Sequence, residues 1–263
     1  MQAQDYAYLY ELEENFWWFR GMREISKVLL DPICAKAHER DVLDAGCGTG
    51  GMLSWLTQYA GSSGVVGIDL SQTALEFCRE RNHQQLTQGS IAQLPFADST
   101  FDLVTSFDAI QHVLDKGDVR AIAEIYRVLR PGGIAFVRVS AYEWLRSAHD
   151  DALNVQRRYT LSELSAEMRR VGFSIRRATY ANTLLLPVAA IKRLVFSRSG
   201  SAQAESEVKP WSKSWQWLNG LLSAPLKLEA AALSRIDLPF GVSAICIAEK
   251  SITADPSQSS AHR

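Results

Sequence analysis

The stretch VLDAGCGTGG, residues 42–51, ends an apolar run with an acid and then breaks into glycines. An apolar run entering a glycine turn and then a helix is the opening unit of a doubly wound α/β sheet. Gly46, Gly48 and Gly51 carry the spacing of a dinucleotide-binding loop, and Asp44 stands two residues before the first of them. Two ligand classes therefore compete for this turn, one with a pyrophosphate and one without.

The rest of the chain repeats the strand–helix alternation. DVLDA predicts a strand, MLSWLTQYA a helix, GVVGIDL a second strand, and QTALEFCRERN a helix capped by Ser71. FDLVTSFD and GGIAFVRVS are apolar on both faces, as parallel strands covered on both sides must be. Between them Ile122, Ile125, Tyr126 and Leu129 fall at helical spacing, and RPGG stops that helix. TLSELSAEMRRVGF predicts a helix capped by Thr160 or Ser162, followed by the strand SIRRATYA. The Trp-rich segment starting at Trp211 predicts a helix broken near Pro225, and GVSAICIAEK a final strand. Residues 197–209 and the tail at 251–263 are polar and read as a flexible loop and a disordered end.

Composition narrows the function classes. At 263 residues, 47% hydrophobic and 22% charged, one α/β domain with additions has enough apolar material for a core. A net charge of −1 gives no electrostatic reason to expect a nucleic-acid partner. Cys34, Cys47, Cys78 and Cys246 are scattered without metal-ligand spacing, so they read as reduced thiols and no metal is expected. The acidic, aromatic N-terminus is unlike a leader, and no apolar run reaches the ~20 residues of a membrane span. The expected location is the cytoplasm.

Electrostatics separates the two ligand classes. Beside a pyrophosphate, Asp44 would set a carboxylate against two negative phosphates. A ligand carrying an amino acid removes the conflict: Asp44 accepts from an ammonium while the turn's N–H groups meet a carboxylate. Asp69 ends the second strand about 20 residues beyond the glycines, where a carboxylate accepts from ribose hydroxyls. A nucleoside joined to an amino acid without phosphate is S-adenosylmethionine (SAM), with S-adenosylhomocysteine (SAH) as its demethylated form.

With these residues in place, the chain resembles class I SAM-dependent methyltransferases over roughly residues 40–180 and again at the terminal strand. VLDAGCGTGG, GVVGIDLS, LPFADSTFDLVTSFDAIQHV and EIYRVLRPGG follow the order of that family's motifs. The resemblance implies a Rossmann-like, doubly wound seven-stranded sheet whose last strand is antiparallel. An N-terminal helical cap at 1–40 would precede the SAM-binding core at 41–180. A helical insertion or lid at 181–237, the last core strand at 238–250 and the tail at 251–263 would complete it. Carried over by position, Asp44, Gly46, Cys47, Gly48 and Gly50 would line the methionine end, Asp69 would hold the ribose, and Leu70 would pack on the adenine. Ser90, with Ile91 beside it, stands where many relatives have an acid for the adenine amino group, and a serine accepts more weakly than a carboxylate. Phe107 and Asp108 would sit where cofactor meets acceptor. ENFWWFRGMREI, SAYEWLRSAHDDALNVQRRYTLSEL and DLPFGVSAICIAEK are similar to a bacterial subgroup associated with saccharide or secondary-metabolite pathways. Where that subgroup often has a histidine before the paired arginines, this chain has Gln156.

The expected chemistry is methyl transfer to a small-molecule acceptor, at oxygen, with transfer to nitrogen or carbon as the alternative inside the class. Outside it stands a non-catalytic SAM-binding module. A hydroxyl acceptor needs a base, typically worth ~10²–10⁴-fold. His149, beside Asp150 and Asp151, and His112, after the fourth strand, are the two histidines placed for it. Arg157, Arg158 and Tyr159 offer bidentate recognition of an acidic or phosphorylated acceptor, or a solvated or ion-paired structural role. Phe16, Trp17, Trp18 and Phe19 suggest a cap over the cleft, with Trp18 and Arg20 facing the acceptor. Segments TLLLPVAAIKRLVF and WSKSWQWLNGLLSAPLKL suit a lid, a peripheral membrane contact or a homodimer interface.

Overall fold

A computed structural model describes residues 3–34, 39–196 and 218–252. Two helices, α1 (Ala3–Asn15) and α2 (Trp17–Cys34), precede β1 (Arg40–Ala45). Then come α3 (Leu53–Leu56), β2 (Ala60–Asp69), α4 (Gln72–Glu80), β3 (Leu86–Gln88) and β4 (Phe101–Phe107). They are followed by α5 (Gly117–Val128), β5 (Leu129–Ser140), α6 (Ala148–Ala152), α7 (Leu161–Val171) and β6 (Phe173–Ala181). The last elements are α8 (Leu186–Phe196), α9 (Leu218–Leu233) and β7 (Ser243–Lys250).

The strands form one seven-stranded sheet in the order β3-β2-β1-β4-β5-β7-β6. The pairs from β3 to β5 are parallel, whereas β7 runs antiparallel to both β5 and β6. This is the seven-stranded, antiparallel-ended sheet that the motif order implies. The order reverses between β1 and β4, so the carboxyl ends of those strands open the crevice where such sheets take ligands.

Adjacent strand residues feed opposite cores. Leu43, Val104, Val137 and Cys246 pack under α5 and α7 with Ile122, Ile125, Leu164 and Met168. Their neighbours Val42, Leu103, Phe136 and Ile245 pack under α2 and α9 with Met22, Ile25, Leu226 and Leu233. The two-residue strand period thus buries both faces. Helices α2 and α9 cross closely at Gly21, where an added Cβ would lie 2.3 Å from Leu226 Cδ1.

Local signals act where expected at several helix ends. Ser71 Oγ accepts from Ala74 N, and Thr160, rather than Ser162, forms a reciprocal capping box with Glu163. Other expectations need correction. The helix expected at 52–60 shrinks to α3 plus a 3₁₀ turn at Thr57–Tyr59, because β2 begins at Ala60 and leaves little chain for it. Pro225 lies inside an unbroken α9. Burial of Leu226, Ala230 and Leu233 offsets the cost of about 3 kcal/mol for an interior proline. The loop at 197–209, the tryptophan-rich start at 211–217 and the tail at 253–263 lie outside the described residues.

Candidate functional site

Asp44, near the end of β1, pairs with Gly67 of β2 and Thr105 of β4, which sets it at the switch point of the sheet. Asp44 is 1% exposed, and its carboxyl accepts from Thr105 Oγ1 at 2.7 Å. Burial pushes its pKa up to about 7, and the charges of Glu13 and Asp69 push the same way. A buried carboxyl among carboxyls is a place for a cation and a poor place for a diphosphate.

The turn that follows has left-handed φ at Gly46, Gly48 and Gly50 (87°, 54° and 86°). At Gly46 a Cβ would also meet Ala109 Cβ at 2.2 Å. The turn's N–H groups, expected to meet a ligand carboxylate, are taken by the protein itself. Gly46 and Cys47 donate to Ile68 O, and Gly48 donates to Asp69 Oδ2 at 2.9 Å. Gly51 donates to Glu13 Oε2 at 2.9 Å, and Thr49 Oγ1 donates to the same oxygen at 2.5 Å. Glu13 arrives from α1, so that helix carries an anion onto the helix start where a phosphate would otherwise sit. Burial pushes Glu13 up to about 7.

Arg81, just past α4, fixes this arrangement. It donates to Thr49 O, Tyr10 O, Glu13 Oε2 and Glu14 Oε1, and its guanidinium lies 4.2 Å from the Tyr10 ring centroid. Tyr6, on the same helix, hydrogen-bonds Ser71 and lies within the field of Asp69. The α1 helix therefore spans the crevice from the glycine turn to the end of β2.

The remaining cofactor candidates divide. Asp69 accepts from Ser71 N through Oδ1 and from Gly48 N through Oδ2, and burial raises its pKa. Leu70 beside it is 70% exposed. The Cys47 side chain turns away into a small core with Leu53, Leu75 and Cys78, so only its backbone faces the turn. All four cysteines are free and buried. Ser90 Oγ accepts from Ala92 N, and Ile91 is buried and packs in the main core.

Across the switch point, Asp108 follows β4 with φ 55°, a strained value for a residue with a side chain. Its Oδ2 accepts from Arg138 Nε and Nη2 at 2.9 and 2.7 Å. The Arg138 guanidinium lies between Trp18 and Phe107, at 5.4 and 5.1 Å from their ring centroids. Tyr142 after β5 and Asn182 after β6 have φ of 58° and 60°. Three strand ends thus hold unusual backbone along the same edge.

His112 ends a 3₁₀ turn and its Nδ1 lies 3.4 Å from Asn154 O. With a carbonyl as partner Nδ1 carries the proton, which leaves Nε2 as the acceptor. Burial holds His112 below the usual histidine range, so it is neutral at pH 7. His149 falls in α6, and its side chain lies outside the described residues. Of the two carboxylates expected beside it, Asp150 is engaged elsewhere, accepting from Arg158 Nε and Nη2 and from Ser147 N. Arg158 also donates to Ala141 O, while Arg157 and the Tyr159 hydroxyl both donate to Asp118. Arg157 and Arg158 are thus held in internal ion pairs and Tyr159 in a hydrogen bond, the structural alternative left open in sequence, because α6 and α5 supply buried carboxylates opposite them. Arg20 is exposed on α2.

Glu13, Arg81, Thr105 and Arg138 belong to the site without having been expected there. Only Arg138 left a trace in sequence, as a charge inside the otherwise apolar GGIAFVRVS. Among the described residues no cluster of His, Cys, Asp or Glu suits a metal ion, and no helix is long and apolar enough to cross a membrane.

Residues 43–137 match the family model described as a methyltransferase domain. Over 166 residues the chain is 30% identical to a Mycolicibacterium smegmatis protein named "Probable S-adenosylmethionine-dependent methyltransferase", covering 62% of this chain and 61% of that one. It is 34% identical over 129 residues to a fatty-acid O-methyltransferase of the same organism, covering 46% of each. The chain thus spans less than two thirds of the length of either relative. Among solved structures, an S-adenosylmethionine dependent methyltransferase from Mesorhizobium loti has the same fold, with TM-score 0.54 at 16% identity, covering 86% of this chain and 97% of that one.

Proposed function

We propose, from the premise that this chain carries a class I SAM-dependent methyltransferase domain, that it methylates a small molecule. The acceptor position is an oxygen of a saccharide-linked or secondary-metabolite intermediate. The observation that carries the cofactor half of this reading is Asp44, a buried carboxyl raised to about 7 beside a turn whose Gly51 N–H is already taken by Glu13. That arrangement favours a cationic, phosphate-free nucleoside.

In this reading Asp44 holds the ammonium of the amino-acid end beside the glycine turn, and Asp69 and Leu70 hold the nucleoside. When bound, SAM supplies a methyl group activated by a sulfonium. The protein's part is to orient the acceptor, exclude water and accept its proton. The α1 helix, held by Arg81 and Glu13, covers the crevice and keeps it dry. His112, neutral and with Nε2 free of the Asn154 contact, is the base among the described side chains; His149 on α6 is the second candidate. The fatty-acid O-methyltransferase relative supports an apolar acceptor and transfer to oxygen.

Calorimetry with SAM and SAH tests the cofactor, and transfer of labelled methyl into a panel of hydroxyl, amine and carbon acceptors tests the reaction. Binding of both compounds and label in a hydroxyl acceptor are expected. Uptake of a nicotinamide dinucleotide in their place would refute the reading.

A further inference from the structure

Arg138 has a feature that packing does not require. Its residue is 4% exposed, and Nε and Nη2 are both used on the single oxygen Oδ2 of Asp108. Nη1 is buried without a hydrogen-bond partner among the described residues. Guanidinium donors held away from water normally all find acceptors. The surroundings supply none here: Trp18 from α2 and Phe107 from β4 present ring faces, and Trp55 packs edge-on against Phe107.

The charge of the group is already balanced by Asp108. The crevice beside it is rich in carboxyls: burial raises Asp44, Glu13 and Asp69, and the charges of Glu13 and Asp69 raise Asp44 further. A second carboxylate opposite Nη1 would meet that field unfavourably. A neutral oxygen with a lone pair would not, and the aromatic walls suit a flat, apolar body carrying it.

Resting on the proposed methyl transfer, we infer that Arg138 Nη1 is a docking point for a neutral carbonyl oxygen of the acceptor. Asp108 keeps the guanidinium in place: it is fixed in turn by its own amide, which donates to Arg138 O at 2.9 Å. The acceptor class is then an apolar, hydroxyl-bearing ketone, ester or amide rather than an acid.

The test uses the full chain saturated with SAH and three probes that differ at one group: 4-hydroxyacetophenone, 4-ethylphenol, which lacks the second oxygen, and 4-hydroxybenzoate. Ligand-observed NMR or calorimetry should show the ketone binding tightest. Arg138→Gln should weaken the ketone about tenfold while leaving 4-ethylphenol unchanged, since one hydrogen bond from a charged donor is lost. SAH affinity reports whether the variant is folded; should Arg138→Gln lose SAH, Arg138→Lys, which keeps the charge but not the fork, takes its place with the same expectation. Preference for 4-hydroxybenzoate, or no preference among the three with SAH bound, overturns the carbonyl assignment and leaves the methyltransferase reading intact. Failure of the wild-type chain to bind SAH removes both.

Discussion

Glu13 Oε2 receives the amide hydrogen of Gly51 at 2.9 Å, and a Cβ built on Gly51 would lie 2.5 Å from that same oxygen. The last glycine of the fingerprint therefore makes room for a side chain of the protein rather than for a diphosphate. Gly51→Ala should push Glu13 off the turn, loosen α1 and weaken SAM binding. Glu13→Ala should do the same by removing the contact. Because both changes break one interaction, the double variant should be little worse than either single one, a coupling readable from a double-mutant cycle by calorimetry. Strict additivity would show that α1 and the turn act independently.

Burial raises both Asp44 and Glu13 to about 7, against about 4 for such carboxyls in an unfolded chain. The folded protein therefore holds protons that the unfolded chain releases. Stability from this source is complete below about pH 4 and is lost as pH rises towards and through 7. Asp44→Asn, which keeps the shape without the charge, should flatten the pH dependence of urea unfolding. It should also exceed the wild type in stability at pH 8. The same substitution should weaken SAM binding, because an ionised Asp44 is what a cationic ligand gains from. Wild-type SAM affinity should accordingly rise from pH 6 to pH 8. Parallel stability curves for the two proteins, or a SAM affinity indifferent to both pH and the substitution, would contradict the burial argument.

His112 can be tested apart from cofactor binding. As the base for a hydroxyl acceptor, its removal in His112→Ala should lower kcat by about 10²–10⁴-fold. SAM affinity should be retained. Since burial depresses its pKa, the acid limb of the wild-type rate profile should fall below the ordinary histidine value of about 6.5. A fully active variant would pass the role to His149 or to the acceptor's own acidity.

Much of this was legible because the signals are local. Asp44, the glycine turn and Asp69 lie within one strand–turn–helix–strand passage, and Thr160 with Glu163 writes its cap within four residues. What sequence reading missed depends on approach across long stretches of chain. Glu13 meets Thr49 and Gly51 only because α1 folds back over the turn, and nothing in ELEEN distinguishes it from its neighbours. Arg138 faces Asp108 because β4 and β5 are in register, with Phe107 opposite Arg138. Arg157 and Arg158 look like acceptor ligands in sequence, since their buried partners Asp118 and Asp150 are supplied by other helices. Pro225 misled for the opposite reason: a local break signal was overridden by packing against α2.

The Arg158–Asp150 pair gives the sharpest contrast between those two kinds of role. Asp150 is 2% exposed and both of its oxygens accept from the guanidinium, while Arg158 Nη1 holds Ala141 O at the end of β5. Removing one partner strands the other charge away from water, a loss that reaches about 3–5 kcal/mol for buried pairs. Arg158→Ala should therefore lower the urea midpoint of the apo protein strongly. Asp150→Asn, which can still accept from the guanidinium, should lower it less. If Arg158 instead served the acceptor, Arg158→Ala would leave stability near wild type and raise KM alone. The internal bonding favours the first outcome, because each nitrogen of the Arg158 guanidinium already has an acceptor within the protein. An outside oxygen would have to displace a carboxylate already fitted to the fork.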